Sequence, residues 1–166
     1  QLGPEASFIL FADHGMHRVE RWFEVSEVVE RAIGGEGPLV FIDSTAVRGW
    51  GSHSELEALG DQLRRLPSIR VLDKAELMQR RAYFPDGRYG DLIAVAEPGA
   101  VFVPDFFNGS QRLRGMHGYF RDTEWLRPGL LYYGPGFSSS AADVQPEAIP
   151  DIWRLAVTVL HGHRTA

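Results

Sequence analysis

A nearly continuous apolar run opens the chain and ends abruptly in polar side chains. Residues 6–12 have the sequence ASFILFA, and Asp13, His14 and Gly15 follow at once. Such a run is typical of a β-strand that is buried on both faces of a sheet. A strand of this kind needs neighbours on both sides. Because no element precedes it here, its partners are predicted to come from a segment that the sequence does not contain.

Strand and helix patterns alternate along the rest of the chain, which predicts an α/β protein. Strand patterns occupy residues 39–42, 68–72, 91–96, 101–103 and 129–133, and helix patterns occupy 25–33, 52–66, 73–79 and 150–160. Ser52 with Glu55, and Asp73 with Glu76, have the spacing of helix capping boxes. The Pro98–Gly99 turn predicts that the strands on either side of it form a hairpin.

Composition and charge exclude several classes of function. The chain has 166 residues, of which 44% are hydrophobic and 23% charged, and these values suit a globular domain. The net charge of -5 gives no general affinity for nucleic acid or anionic membranes. No apolar run approaches the roughly 20 residues that span a bilayer. Because cysteine is absent, disulfides and thiolate metal sites are excluded.

Asp13 and His14 lie at the end of a predicted strand, where α/β proteins bind their ligands. A carboxylate and an imidazole suit Zn²⁺ or a similar divalent ion. Neighbours on a strand point to opposite faces, so both reach one ion only if the chain turns at Gly15. Otherwise they serve two ions, or one binds while the other orients it. The alternative is a turn with local side-chain hydrogen bonds and no metal.

A second candidate is the stretch GMHGY, residues 115–119, in which His117 has a glycine close on either side. Glycines at Gly115 and Gly118 let the backbone approach another group closely. Taken alone, the motif is equally compatible with a solvated loop histidine.

Together these motifs resemble the type I phosphodiesterase/nucleotide pyrophosphatase branch of the alkaline phosphatase superfamily. The resemblance rests on ADHGM at residues 12–16, GDLIAVAEPG at 90–99, GMHGY at 115–119 and GPGF at 134–137, in that order. Residues 41–50 and 83–93 resemble an insert of a bacterial and archaeal subgroup. The implied fold is α/β, a partial alkaline-phosphatase-like sheet with flanking helices and an inserted α+β subdomain.

The resemblance also implies how the chain is organised. Residues 1–20 would carry a core strand and metal motif, residues 21–105 an inserted subdomain with connecting strands, and residues 106–166 a metal loop, core strand and C-terminal helix. The whole chain would then be a fragment of one larger catalytic domain.

We expect a soluble bacterial protein of the cytoplasm or periplasm, with no membrane association and no nucleic-acid partner.

The family implies a site with two divalent metal ions, zinc by preference, about 4 Å apart. By motif, Asp13 and His14 would bind one ion and His117 the other, and Tyr119 would contact substrate. The family's nucleophile, one metal aspartate and an Asp-x-x-x-His pair lie upstream of the DHGM motif. The resemblance therefore implies that this chain is the C-terminal part of an enzyme that hydrolyses small phosphoesters. Such a part has no catalytic nucleophile and is inactive without its upstream half.

Two sets of residues within the chain resemble the family's Asp-x-x-x-His pair and its nucleophile. Asp13 and His17 have Asp-x-x-x-His spacing, but the family pair lies on another segment. Ser44 and Thr45 follow a strand, as a nucleophile does, yet a turn or cap role is the commoner one for such residues. Two other functions stay open: a non-catalytic metal- or ligand-binding module, and another hydrolase of the superfamily acting on phosphomonoesters, phosphonates or sulfate esters.

Overall fold

The computed structural model describes residues 6–33, 37–119, 129–134 and 149–162. It divides into two compact units, the first formed by residues 1–15 and 127–166 and the second by residues 16–126. The helices are α1 (Ser26–Ile33), α2 (His53–Arg64), α3 (Lys74–Gln79) and α4 (Ile149–Gly162). The strands are β1 (Phe8–Phe11), β2 (His17–Arg18), β3 (Arg21–Glu24), β4 (Leu39–Ile42), β5 (Ala46–Trp50), β6 (Ile69–Val71), β7 (Leu92–Ala96), β8 (Ala100–Val103), β9 (Gly115–Met116) and β10 (Leu130–Tyr133).

The first unit contains the opening apolar strand, and its burial differs from the sequence prediction. β1 pairs antiparallel with β10, so that Phe8 lies opposite Tyr133. Phe8 is 46% exposed and Leu10 is 67% exposed. The prediction of a strand buried on both faces is therefore wrong for this chain. The reason is that, among the described residues, β10 is the one strand paired with β1. In the same unit, α4 buries Leu155 completely.

The second unit is built around a four-stranded antiparallel sheet in the order β4-β5-β7-β6. β5, α2 and β6 form a split β-α-β motif, with β7 inserted between the two strands. β7 is buried along its whole length. Leu92, Ala94 and Ala96 belong to the apolar cluster that contains the buried leucines of α2. Ile93 and Val95 belong to a second cluster with Leu77 of α3. Burial on both faces explains its unbroken apolar sequence.

Both predicted capping boxes are present. The Ser52 side chain accepts from the backbone N–H of Glu55 and the Glu55 carboxylate accepts from the backbone N–H of Ser52, at the start of α2. Asp73 and Glu76 make the same reciprocal pair at the start of α3. Each box satisfies N–H groups that a helix leaves without partners in its first turn.

The predicted hairpin of β7 and β8 is wrong. β8 instead pairs in parallel with β3, so that Trp22 lies opposite Val101. The Gly99 carbonyl, in the turn after β7, accepts hydrogen bonds from the backbone N–H groups of Glu20 and Arg21. These bonds bring β3 alongside β8. A pair of strands about eighty residues apart in sequence leaves no local pattern, and sequential strands are neighbours only about two-thirds of the time.

Overall the chain is an α/β protein, as predicted. The helices of the described residues include none that is long and apolar enough to cross a membrane. The predicted three-part division into residues 1–20, 21–105 and 106–166 stays a prediction. Most of the GPGF motif lies outside the described residues.

Candidate functional site

Asp13 and His14 lie in a bend directly after β1. The backbone N–H of His14 donates to Oδ1 of Asp13 at 3.0 Å. Nδ1 of His14 lies 2.9 Å from the carbonyl oxygen of Gly15. Because a carbonyl oxygen only accepts, Nδ1 is the donor of this bond. In the neutral ring, the lone pair is then on Nε2.

The chain turn brings both potential ligands to one point. Nε2 of His14 lies 3.5 Å from Oδ1 of Asp13, and the two side chains are 39% and 74% exposed. Two ligands on a tetrahedral zinc ion, with bonds of about 2.0–2.1 Å, lie about 3.4 Å apart. The separation therefore suits one shared ion. The hydrogen bond from Nδ1 to a carbonyl is the kind that usually fixes the ring of a metal-binding histidine.

His117 follows β9, the short strand that pairs with β2. Its side chain is exposed, and the next residue, Gly118, has a φ of +88°. This left-handed conformation is strained for any residue with a Cβ. A Cβ added at Gly118 would also lie 3.2 Å from Oγ1 of Thr45. The glycine after His117 is therefore required by the backbone of this loop.

Thr45 ties the His117 loop to the main sheet of the second unit. Its side chain is buried, and Oγ1 donates to the carbonyl oxygen of Gly118 at 3.2 Å. Thr45 is part of the tight turn between β4 and β5, which is closed by the N–H of Asp43 donating to the carbonyl of Ala46 at 2.8 Å. A turn or cap role is predicted for Thr45 from the sequence, and no local pattern indicates this contact.

A Thr45→Val variant is expected to loosen the His117 loop. Valine has nearly the same shape but no hydroxyl, so the Gly118 carbonyl loses a buried partner. The free energy of unfolding should fall by about 1 kcal/mol, and amide hydrogen exchange should quicken at residues 115–119. Urea denaturation and hydrogen-exchange NMR would measure the two effects.

The matched control for that variant is Thr158→Val in α4. Oγ1 of Thr158 donates to the carbonyl of Arg154 at 2.9 Å, on the exposed surface of the helix. Because water replaces that partner, its stability effect should stay within about 0.5 kcal/mol. Equal amide exchange at Gly118 in Thr45→Val and in the unaltered chain would contradict the proposed tie.

A cleft of about 710 Å³ opens beside the His117 loop, within the second unit. The β4–β5 turn, β5 and three loops contribute polar or aromatic side chains to its wall, and these are Asp43, Ser44, Thr45, Arg48, Tyr89, Phe107, Asn108 and His117. This volume lies within the range of about 300–1,000 Å³ that is usual for small-molecule sites. The cleft was not anticipated from sequence.

Ser44 makes a hydrogen-bonded network with the buried Asp105. Oγ of Ser44 donates to Oδ2 of Asp105 at 3.0 Å and accepts from Nδ2 of Asn108 at 3.2 Å. Oδ1 of Asp105 accepts from the backbone N–H groups of Phe107 and Asn108. The network holds the 105–109 turn beside the end of β4 and engages the Ser44 hydroxyl.

Tyr119 and His17 lie against each other in the second unit. Tyr119 is 6% exposed. Its hydroxyl donates to the carbonyl oxygen of Ala100 at 3.0 Å. The ring of His17 meets it edge-on, with 5.9 Å between centroids, and Nδ1 of His17 is 2.8 Å from the carbonyl oxygen of Arg18. A substrate contact by Tyr119 stays a prediction.

The buried phenol makes stability sensitive to high pH. Burial raises the pKa of Tyr119 to about 12. The unfolded chain releases this proton near pH 10, so the contribution to stability is complete below about pH 10 and is lost as pH rises through about 12. A Tyr119→Phe variant should therefore lose stability less steeply over this interval in urea denaturation. A slope equal to that of the unaltered chain would contradict this account.

The predicted metal ligands are thus brought together only in part. The structure places Asp13 beside His14 in the first unit and His117 on the cleft of the second. Within the described ranges, no group of three or more His, Asp or Glu side chains could hold a metal ion. The shared site of Asp13, His14 and His117 stays a prediction.

Comparison with known proteins gives a family match over most of the chain. A family described as type I phosphodiesterase/nucleotide pyrophosphatase matches residues 1–120, a range that includes Asp13, His14 and His117. No curated protein matches the chain significantly.

Solved structures of similar fold include two kinds of hydrolase. Mouse ectonucleotide pyrophosphatase/phosphodiesterase 5 is 24% identical, with a TM-score of 0.60 over 78% of this chain and 34% of its own. Its human counterpart is 22% identical with the same TM-score and coverage. Phosphonoacetate hydrolase from Sinorhizobium meliloti, solved with phosphonoacetate, is 16% identical, with a TM-score of 0.57 over 95% of this chain and 42% of its own. The chain therefore spans about a third of the first two proteins.

Proposed function

This chain belongs to the type I phosphodiesterase/nucleotide pyrophosphatase family, and on that premise we propose that the full-length protein hydrolyses phosphoric esters with two divalent metal ions, zinc by preference. The observation that carries the proposal is that the family match spans both candidate ligand motifs, at Asp13–His14 and at His117. In this proposal the substrate is a small phosphodiester or nucleotide pyrophosphate. The mouse relative, for comparison, has been solved as an inactive variant with AMP.

Each candidate ligand has a distinct part in this proposal. The Asp13 carboxylate and the His14 imidazole hold one ion, and their donor separation of 3.5 Å supports this. The hydrogen bond from Nδ1 of His14 to Gly15 keeps the ring oriented, and the bond from Thr45 to Gly118 does the same for the backbone beside His117. When bound, the ions supply positive charge that stabilises the phosphoryl oxygens in the transition state.

The nucleophile is proposed to lie in a segment upstream of residue 1, together with the remaining metal ligands. Ser44 and Thr45 are poor substitutes because their hydroxyls are already engaged with Asp105, Asn108 and Gly118. In this proposal the chain acts with its upstream half and has no turnover alone.

The test compares the full-length protein with this chain. We expect the full-length protein to hydrolyse bis(4-nitrophenyl) phosphate, to lose activity on chelation and to regain it with zinc. Elemental analysis should detect zinc in the same preparation. Absence of hydrolysis by the zinc-loaded full-length protein would overturn the proposal. Turnover by this chain alone would instead show that the nucleophile lies within residues 1–166.

A second candidate function is the hydrolysis of phosphonates. It is favoured by the likeness to phosphonoacetate hydrolase, which extends over 95% of this chain. The two functions differ in the bond that breaks, P–O in one and P–C in the other. Phosphorus NMR of the full-length protein with phosphonoacetate would separate them, because phosphate and acetate form only if the P–C bond is cleaved.

A further inference from the structure

Arg48 places a guanidinium on the wall of the cleft that also contains His117. It lies in the middle of β5, where Val47 and Gly49 are buried and the alternate residues are partly exposed. Arg48 therefore projects from the face of the strand opposite to that of Val47. A cation at this position is unusual, because the neighbours of Arg48 on the paired strands are Phe41 and Ile93.

Two aromatic rings lie against the Arg48 guanidinium. The central carbon of the Arg48 guanidinium lies 4.2 Å from the ring centroid of Tyr89 and 5.5 Å from that of Phe41. The side chain is only 23% exposed. Cation–π contacts of this kind strengthen as water is removed. Since little further side-chain freedom is lost on binding, the group is organised in advance to bind an oxyanion.

The hydrogen-bonding capacity of Arg48 is largely unused. Its Nη2 reaches Oδ2 of Asp43 at 3.5 Å, a long contact for a charged pair. Nε of Arg48 is buried and has no hydrogen-bond partner in the described part of the chain. Leaving a buried donor unsatisfied is unfavourable, and native proteins rarely do so without a functional reason. A small movement of the Arg48 guanidinium toward a bound oxyanion would supply the absent hydrogen-bond acceptors.

We propose that Arg48 binds a second oxyanion of the phosphoester substrate, a carboxylate or a further phosphate, while the reacting phosphoryl group lies at the His117 end of the same cleft. This inference rests on the proposed function, because it takes His117 as a metal ligand. Arg48 is then a specificity residue, and the cleft favours substrates whose leaving group carries a negative charge. The volume of about 710 Å³ is ample for both groups.

The competing explanation is that Arg48 only packs between the rings of Tyr89 and Phe41 and stabilises the β4–β5 turn through its ion pair with Asp43. The two explanations differ for an Asp43→Asn variant. If Arg48 binds an oxyanion, removing the competing carboxylate should tighten that binding several-fold. Asp43 also lines the cleft, so loss of its charge alone can tighten anion binding. If Arg48 only packs, Asp43→Asn should change anion binding by the same factor with and without the Arg48→Gln substitution.

The experiment titrates the zinc-loaded full-length protein with three probes. Ethyl phosphate carries one phosphoryl group, 2-phosphoglycolate adds a carboxylate, and ethylene glycol bisphosphate adds a second phosphate. Calorimetry gives the dissociation constants, and NMR follows the Nε–H resonance of Arg48, identified by its disappearance in Arg48→Lys. We expect both two-anion probes to bind more tightly than ethyl phosphate and to shift this resonance. Their relative affinities distinguish a carboxylate from a phosphate ligand.

The variant Arg48→Gln should weaken binding of the preferred two-anion probe by about tenfold to a hundredfold, and change ethyl phosphate binding less than about twofold. Arg88→Gln is the matched control. Arg88 also stacks on a ring, that of Phe84 at 5.2 Å, and pairs with Asp86 at 2.6 Å, but it does not line the cleft. Its loss should leave all three affinities unchanged. Arg48→Lys, which keeps the charge, should retain part of the affinity.

The outcomes separate this inference from the proposed function. Equal affinity of all probes, or an Arg48→Gln affinity equal to that of the unaltered chain, overturns the inference, whatever the full-length protein hydrolyses. Arg48-dependent binding of a two-anion probe supports it. If that binding persists after chelation while the zinc-loaded full-length protein hydrolyses nothing, the oxyanion site stands and the proposed function fails.

Discussion

A His14→Ala variant of the full-length protein is expected to lose about one zinc ion per chain and more than about a hundredfold of its hydrolytic activity. The reason is geometric. Nε2 of His14 and Oδ1 of Asp13 are 3.5 Å apart, so in the proposed site removing the imidazole leaves the carboxylate without its nearest companion ligand. Elemental analysis and steady-state kinetics measure the two losses in the same preparation.

The control for this variant is His53→Ala. His53 is exposed at the first turn of α2 and lines neither the cleft nor the bend after β1. Its replacement should leave metal content and activity unchanged. Unaltered zinc content in His14→Ala would remove the basis for assigning this residue to the metal site.

Stability distinguishes a functional metal from a structural one. Nε2 of His14 lies on a side chain that is 39% exposed, in a bend at the end of β1. Its loss should therefore cost little free energy of unfolding in the metal-free chain. If His14→Ala unfolds the protein along with its metal loss, the ion is a structural element and not part of a catalytic site.

Local sequence patterns were sufficient for most elements of the second unit. The capping boxes at Ser52 and Asp73 begin helices as predicted, because a cap is decided by residues three apart. The apolar run of β7 was predicted as a strand, because burial on both faces removes polar positions. In each case the physical cause lies within a few residues of the effect.

Local sequence patterns did not predict which distant strands pair with each other. The parallel pair of β3 and β8 joins residues 21–24 to 100–103, and the turn at Pro98–Gly99 favoured a local hairpin instead. β5 was missed because its sequence, AVRGW, contains a glycine and an arginine that weaken the usual alternation. The sequence alone does not indicate a role for Arg48, because only the folded sheet brings it to the cleft with His117.

The candidate metal ligands were found because they lie in compact motifs. Asp13 with His14, and His117 between glycines, can be recognised without any knowledge of the fold. Thr45 donates a hydrogen bond to Gly118, 73 residues later in the chain, and Arg48 stacks on the ring of Tyr89, which is also distant in sequence. The residues that position or extend the site therefore needed the structure, whereas the predicted ligands themselves did not.

A Phe102→Ala variant is expected to lower the free energy of unfolding of the second unit by about 3–5 kcal/mol. Phe102 is fully buried in the middle of β8, in the main core cluster with Met116 and Tyr119. The side chain cannot be replaced by water, and the surrounding strands relax only partly into the cavity. Urea denaturation followed by circular dichroism measures the change.

Phe106→Ala is the matched control, because Phe106 lies four residues later and is 73% exposed. Its replacement should cost less than about 1 kcal/mol, because the side chain is mostly in water and its ring contacts are those with Phe41 at 5.2 Å and Phe107 at 5.3 Å. The backbone of Phe102 also donates to the carbonyl of Ser44, beside the cleft. A destabilised Phe102→Ala chain should therefore bind two-anion probes more weakly as well. A loss of less than about 1 kcal/mol in Phe102→Ala would show that β8 does not lie in the core.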